Sequence, residues 1–255
     1  PCSYDTGAAT RTLEEARQAR GQTTQRLSAR PAKGGATMSK AIIGVVGSSG
    51  TGKSTSLRNL SPASTHIIDL ERKGLPFPNA SKFKVTPCSN IKEFDKALDA
   101  ALSDEKCEVI VIESFTKYTE TLIALAQASF KGYDVWSYYN RMIRATLDKV
   151  KNDRAVVVFT GIDEIVQIAQ PSGDTYNVRR IKVQGKQHEG CIEKEFLMVL
   201  FTEVKRDKDG KVRYVFQTNS DGITSAKTPM GMFDEPYIDN DIAAVIDAAK
   251  KYYSA

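Results

Sequence analysis

The sequence predicts an α/β fold: a mainly parallel central sheet flanked by helices, with C-terminal β-hairpins. Three observations predict it. Short apolar runs rich in Val and Ile alternate with segments of helical period, a glycine-rich loop fills the first junction between a run and a helix, and beyond residue 160 paired runs flank turn signals instead.

In chain order, the first strand is expected at residues 41–46 and a helix over 53–59. Strands follow at 65–69, 109–113 and 155–160, each short enough to be buried on both faces. Between them, helical patterns cover 91–102 and the long stretch 115–151, where Trp136, Tyr139, Ile143, Leu147 and Val150 share one helical face. Strand, helix, strand at this spacing implies right-handed crossovers and parallel pairing. Residues 165–169 and 176–183 flank Pro171-Ser172-Gly173-Asp174, and 197–203 and 212–217 flank Lys208-Asp209-Gly210, so two hairpins are expected. A last helix over 241–253 carries Ile242, Val245, Ile246 and Ala249 on one side.

Composition bounds the function. With 255 residues, 41% hydrophobic and 26% charged, the chain has the balance of a soluble globular protein rather than a disordered or fibrous one. Its longest apolar run, 41–46, is far below the ~20 residues of a membrane span, and an intracellular location is expected. Cys2, Cys88, Cys107 and Cys191 form no Cys-x-x-Cys pair and His66 and His188 are far apart, so neither a disulfide framework nor a zinc site is expected. Residues 1–37 hold six basic and three acidic residues and few aliphatic ones. They read as a disordered or leader-like tail, with a globular domain expected over 38–255.

Gly47-Ser48-Ser49-Gly50-Thr51-Gly52-Lys53-Ser54 matches G-x-x-x-x-G-K-[ST] and lies between an expected strand and helix. Glycines let successive N–H groups turn inward onto phosphate oxygens, Lys53 supplies a point charge for the β- and γ-phosphates, and the Ser54 hydroxyl is suited to Mg²⁺. Thr55 extends the loop. ATP and Mg²⁺ are therefore the expected ligands. Two carboxylates end neighbouring strands, Glu71 after His66-Ile67-Ile68-Asp69-Leu70 and Glu113 after Val109-Ile110-Val111-Ile112. Ligands collect at the carboxyl ends of parallel strands, so Glu113 suits a magnesium-bound water and Glu71 the attacking water. A solvated strand end is the alternative for Asp69 and Glu71.

The loop GSSGTGKST, the strands IIDLE and VIVIES, and the segment Asp221-Gly222-Ile223-Thr224-Ser225-Ala226-Lys227-Thr228-Pro229 resemble RecA-like P-loop ATP-binding proteins of bacteriophages, a group linked to single-strand annealing and recombination. The resemblance covers roughly residues 38–235. It implies a catalytic glutamate at Glu71, a metal-site acid at Glu113 where Asp is usual, and a γ-phosphate sensor at Thr160, which is equally a strand-end threonine. It also implies a homo-oligomer, ring or filament, in which Lys227 reaches a neighbour's γ-phosphate; a loop lysine before a proline turn is the alternative. The implied setting is the bacterial host cytoplasm.

Three function classes stay open: a DNA-stimulated ATPase acting on single-stranded DNA, a nucleotide-dependent switch with little turnover, and a small-molecule or nucleotide kinase. No Arg-rich lid is evident, which disfavours the kinase. The basic residues Arg179, Arg180, Lys182 and Lys186 follow the first hairpin turn, and Lys205, Arg206, Lys208, Lys211 and Arg213 crowd the second; with Asp207 and Asp209 among them, the latter read as a solvated hairpin tip. Tyr133, Trp136, Tyr138 and Tyr139 read as helix packing rather than a base-stacking platform.

Overall fold

Every residue of strands β1 (Ile42–Val46), β2 (Thr65–Asp69) and β4 (Val109–Glu113) is buried, as continuous Val/Ile runs must be when both faces of a parallel sheet are covered. The computed structural model describes residues 41–151, 154–169, 171 and 173–254. The expected tail at 1–37 and the domain start near Met38 lie outside the described residues, as does Ser172 of the first turn. Strands β3 (Lys84–Pro87), β5 (Val156–Gly161), β8 (Met198–Arg206), β9 (Val212–Gln217) and β10 (Tyr237–Asp239) complete an eight-stranded sheet of order β10-β9-β8-β1-β5-β4-β2-β3. From β8 to β3 all pairings are parallel; β9 and β10 add antiparallel. Strands β6 (Asp163–Ala169) and β7 (Thr175–Ile181) pair antiparallel as a separate ribbon.

Period-two alternation divides the core between the two faces. Ile42, Val46, Ile68, Ile110, Ile112, Val157 and Phe159 point to helices α1 (Ile91–Ser103), α2 (Phe115–Ser129) and α3 (Tyr133–Val150), meeting Phe94, Leu98, Tyr118, Leu122, Ile143 and Leu147. Ile43, Val45, Ile67, Val111, Val158 and Leu200 point the other way, to Leu57, Phe77, Phe83 and helix α4 (Ile242–Ser254) through Ile242, Val245, Ile246 and Ala249. Caps fix helix starts: the Asn90 side chain accepts from Glu93 N and the Ser114 side chain from Lys117 N.

Four expectations change. The single helical stretch 115–151 is two helices, broken at Gly132, whose φ of 57° suits glycine. The helix after the phosphate loop is a short 3-10 segment, Ser54–Asn59. Leu197 is exposed and β8, beyond pairing with β9, lies parallel beside β1, with Phe201 opposite Val46, so the second hairpin is an extension of the central sheet. Of the expected aromatic packing group, Tyr139 is fully buried, but Tyr133 and Trp136 are 82% and 40% exposed. Among the described residues no helix is long and apolar enough to cross a membrane.

Candidate functional site

The loop leaves β1 at Gly47, whose N–H donates to the Gly161 carbonyl at the end of β5 (3.1 Å). Two neighbouring strands therefore anchor it. A Cβ at Gly47 would lie 2.0 Å from Thr202 Oγ1, so only glycine lets the chain pass β8. Gly50 and Gly52 have φ of 78° and 96°, the alternation that turns backbone N–H groups inward as an anion nest. Thr51 Oγ1 shares a hydrogen bond with Thr202 Oγ1 (2.5 Å) and donates to Ser48 O (2.7 Å), tightening the turn.

Lys53 Nζ donates to Ser48 O (2.7 Å), folding its stem over the loop. Burial pushes its ammonium below the usual lysine range, opposed by the charges of Glu113, Asp163 and Glu71, with Lys73 adding to the depression. Those influences place Lys53, Glu113 and Glu71 in one electrostatic neighbourhood. The cavity above the loop measures about 260 Å³ and is lined by Ser49, Gly50, Gly52, Lys53, Ser54 and Thr55, with Lys73, Pro76 and Tyr214 closing it.

Ser54 Oγ donates to Glu113 Oε1 (2.5 Å), and Glu113 Oε2 is buried without a hydrogen-bond partner. Burial lifts the Glu113 carboxyl above the usual carboxylate range, against the pull of Ser54 and Thr160. A hydroxyl and a carboxylate with one oxygen orphaned are hard donors, and they fit Mg²⁺, which takes one or two protein oxygens and completes its octahedron with phosphate and water. Among the described residues no group of three His, Cys, Asp or Glu able to cage an ion occurs.

Glu71 follows β2, and its Oε1 accepts from Ser114 Oγ (2.7 Å), the residue after Glu113; Lys73 Nζ lies 3.7 Å from Oε2. Asp69 differs from Glu71 in kind. It is buried and accepts from the backbone N–H of Arg72 (2.7 Å), holding the turn in which Arg72 takes a φ of 56°. The solvated-end alternative is thus wrong for Asp69. Thr160 is fully buried at the end of β5, its hydroxyl 3.5 Å from Ile112 O and beside Glu113. Lys227 is not brought to this cavity. Its backbone pairs with Val199, and burial lowers its ammonium against Glu193 and Glu195.

Several neighbours of the loop carry no motif. Ser48 Oγ donates to Asp163 Oδ1 (2.9 Å), Asp163 accepts from Arg179 Nε, and Arg179 also reaches Glu203 and the Thr202 carbonyl. This strap ties the loop to the base of the β6–β7 ribbon. Two of the four basic residues of the first cluster are paired off: Arg179 is committed to Asp163 and Glu203, and Arg180 to Glu164 and Glu189. In the second, Lys205 sits over the Tyr237 ring and Arg213 binds Asp239, while Asp207 closes the hairpin turn. The register Glu164↔Arg180 could have found one of these pairs from sequence; Thr202, Tyr214 and Asn240 gave no signal because other elements deliver them.

A family model described as an AAA domain matches residues 39–230, and the chain belongs to this AAA-domain family. No curated protein matches the sequence. Among solved structures, an ATPase from the type III secretion system of pathogenic bacteria is similar at 18% identity and a TM-score of 0.42, over 67% of this chain and 52% of that one. The chain therefore spans about half the length of that structure.

Proposed function

We propose that this AAA-domain chain binds ATP with Mg²⁺ at residues 47–55 and hydrolyses it. The observation that carries this reading is the convergence of Lys53, the Ser54–Glu113 pair and the Ser114-oriented Glu71 at one end of β1, β2 and β4. The loop N–H groups and Lys53 hold the phosphates. Ser54 and Glu113 hold the metal, which supplies charge neutralisation at the phosphate oxygens. Glu71, whose Oε1 accepts from Ser114 and whose Oε2 lies near Lys73, orients the attacking water and takes its proton. Thr160, at the end of β5 beside Glu113, senses the γ-phosphate. Phosphate release from ATP tests the reading; no release above that of a Lys53→Ala chain, or transfer of labelled γ-phosphate to a nucleoside monophosphate instead, would overturn it.

The finer reading is that assembled copies spend this hydrolysis on single-stranded DNA, in phage recombination or annealing, with Lys227 supplied to a neighbour's γ-phosphate. With Arg179 and Arg180 paired off, the surface that supports a DNA partner is elsewhere. Exposed Tyr133 and Trp136 border a cavity of about 570 Å³ with Asn140 and Lys186, and aromatic faces beside a cation are what unstacked bases seek. Trp136 is the chain's one tryptophan, so quenching of its emission by an oligonucleotide, with stimulated phosphate release, is the expected result.

A further inference from the structure

Beyond Thr55 and Tyr214 the phosphate cavity is continued by a second one of about 410 Å³, bordered also by Arg58, Arg213, Asn240 and Asp241. Its charged groups are already engaged. Arg58 Nη1 donates to the carbonyls of Thr55 and Asn240, Arg213 binds Asp239 at 2.7 Å, and Asp241 accepts from Asn59 Nδ2 at 2.6 Å. The amide of Asn240 is different. The residue is 3% exposed, and neither Oδ1 nor Nδ2 has a hydrogen-bond partner. A buried amide with both ends unsatisfied is costly and calls for an explanation.

The position supplies one. A nucleotide whose phosphates lie in the loop must carry its sugar and base out past Thr55, and Tyr214 borders both cavities with a ring on which a base can stack. The loop passes close to both residues: a Cβ on Gly52 would come within 3.1 Å of Tyr214 and 3.2 Å of Asn240 Oδ1.

We propose that this second cavity takes the nucleobase, stacked on Tyr214, and that the Asn240 amide selects adenine. Resting on the reading of residues 47–55 as a nucleotide site, it assigns the specificity of that site. On the edge bearing N6 and N7, adenine offers one donor and one acceptor, which a single amide satisfies with Oδ1 and Nδ2. Guanine offers two acceptors there, O6 and N7, and leaves Oδ1 facing a lone pair. Asn240 is a good reporter because its backbone contacts, Asn240 N to Tyr214 O and Arg58 to Asn240 O, survive truncation.

Affinities of ATP, GTP, 7-deaza-ATP and inorganic tripolyphosphate for wild type and Asn240→Ala form the test. Wild type is expected to favour ATP over GTP by about 10-fold or more, and to lose affinity for 7-deaza-ATP. In Asn240→Ala, ATP, GTP and 7-deaza-ATP should fall within about 2-fold of one another while tripolyphosphate binds as before. Equal binding of ATP and GTP by wild type, discrimination that survives in Asn240→Ala, or loss of tripolyphosphate binding in that variant would each overturn the assignment while leaving the phosphate site standing. A wild-type chain that binds neither tripolyphosphate nor any nucleotide would remove the phosphate site itself.

Discussion

The cavity over Lys53 and the cavity beside Asn240 meet at Thr55 and Tyr214, yet they are constructed in opposite ways. The first is made mostly by the consecutive residues of the loop, whose backbone shape defines it, with positive φ at Gly50 and Gly52 and no room for a Cβ at Gly47. The second is made by side chains from the 3-10 segment, from β9 and from the end of β10, brought together over 182 positions between Arg58 and Asn240. A backbone-built site fails when one dihedral fails. A side-chain-built site keeps its walls when one residue changes, so on the proposed reading a substitution retunes base preference in the second cavity but abolishes turnover in the first.

Four experiments break or sharpen that contrast, the largest effect first. Lys53→Ala removes the one side chain the backbone-built site cannot replace, and phosphate release should fall by at least ~100-fold. Its melting temperature should not drop, because burial already depresses the Lys53 ammonium. Glu71→Gln should slow hydrolysis about 100-fold at near-normal ATP affinity; single-turnover rates against equilibrium binding separate the two, and unchanged rates would make Glu71 a bystander.

Glycine substitutions come next and probe the backbone directly. Gly47→Ala forces Thr202 Oγ1 aside from a 2.0 Å approach and should cost about 1–3 kcal/mol by denaturant unfolding, with turnover lost. Gly50→Ala meets nothing within 4 Å, so its cost is the left-handed backbone alone, about 1 kcal/mol. Equal costs at the two positions would mean that crowding against β8 is not what fixes residue 47.

The smallest effect is a pH dependence. Burial raises Glu113 in the folded chain, so its contribution to stability is fully present below the ordinary carboxylate range and is lost as pH rises through the raised value. Without Mg²⁺ and nucleotide, Glu113→Gln should therefore melt above wild type at neutral pH, and the gap should close on acidification. Adding Mg²⁺ and ATP should raise wild type more than the variant. Thermal melts across pH 5 to 8 check both signs.

How much of this was legible follows from how far each feature depends on distant chain. Strands Thr65–Asp69 and Val109–Glu113 were read to the residue because buried parallel strands are unbroken Val/Ile runs. The loop was legible because its binding groups are consecutive. Strand Lys84–Pro87 was missed: it lies at the sheet's edge, partly exposed and ending in proline, and so carries little pattern. Trp136 fitted the apolar helical face, yet Gly185 covers it only in part, with a would-be Cβ 2.9 Å from the indole. Periodicity cannot say how completely a loop will cover a face. Nor could charge counting foresee that Arg179 and Arg180 face acids across the ribbon and along β8.

The strap from Ser48 through Asp163 to Arg179 joins the β6–β7 ribbon to the phosphate loop through side chains alone. Asp163 and Arg179 lie near the ribbon's base, and seven-residue strands reach roughly 20 Å from there. Ile168 and Tyr176, paired near the tip, are exposed at that distance. The exposed apolar end of the ribbon is thus joined to the loop through the polar side chains of Ser48, Asp163 and Arg179. Asp163→Ala would remove the middle link of that chain and leave Ser48 and Arg179 without their shared acceptor.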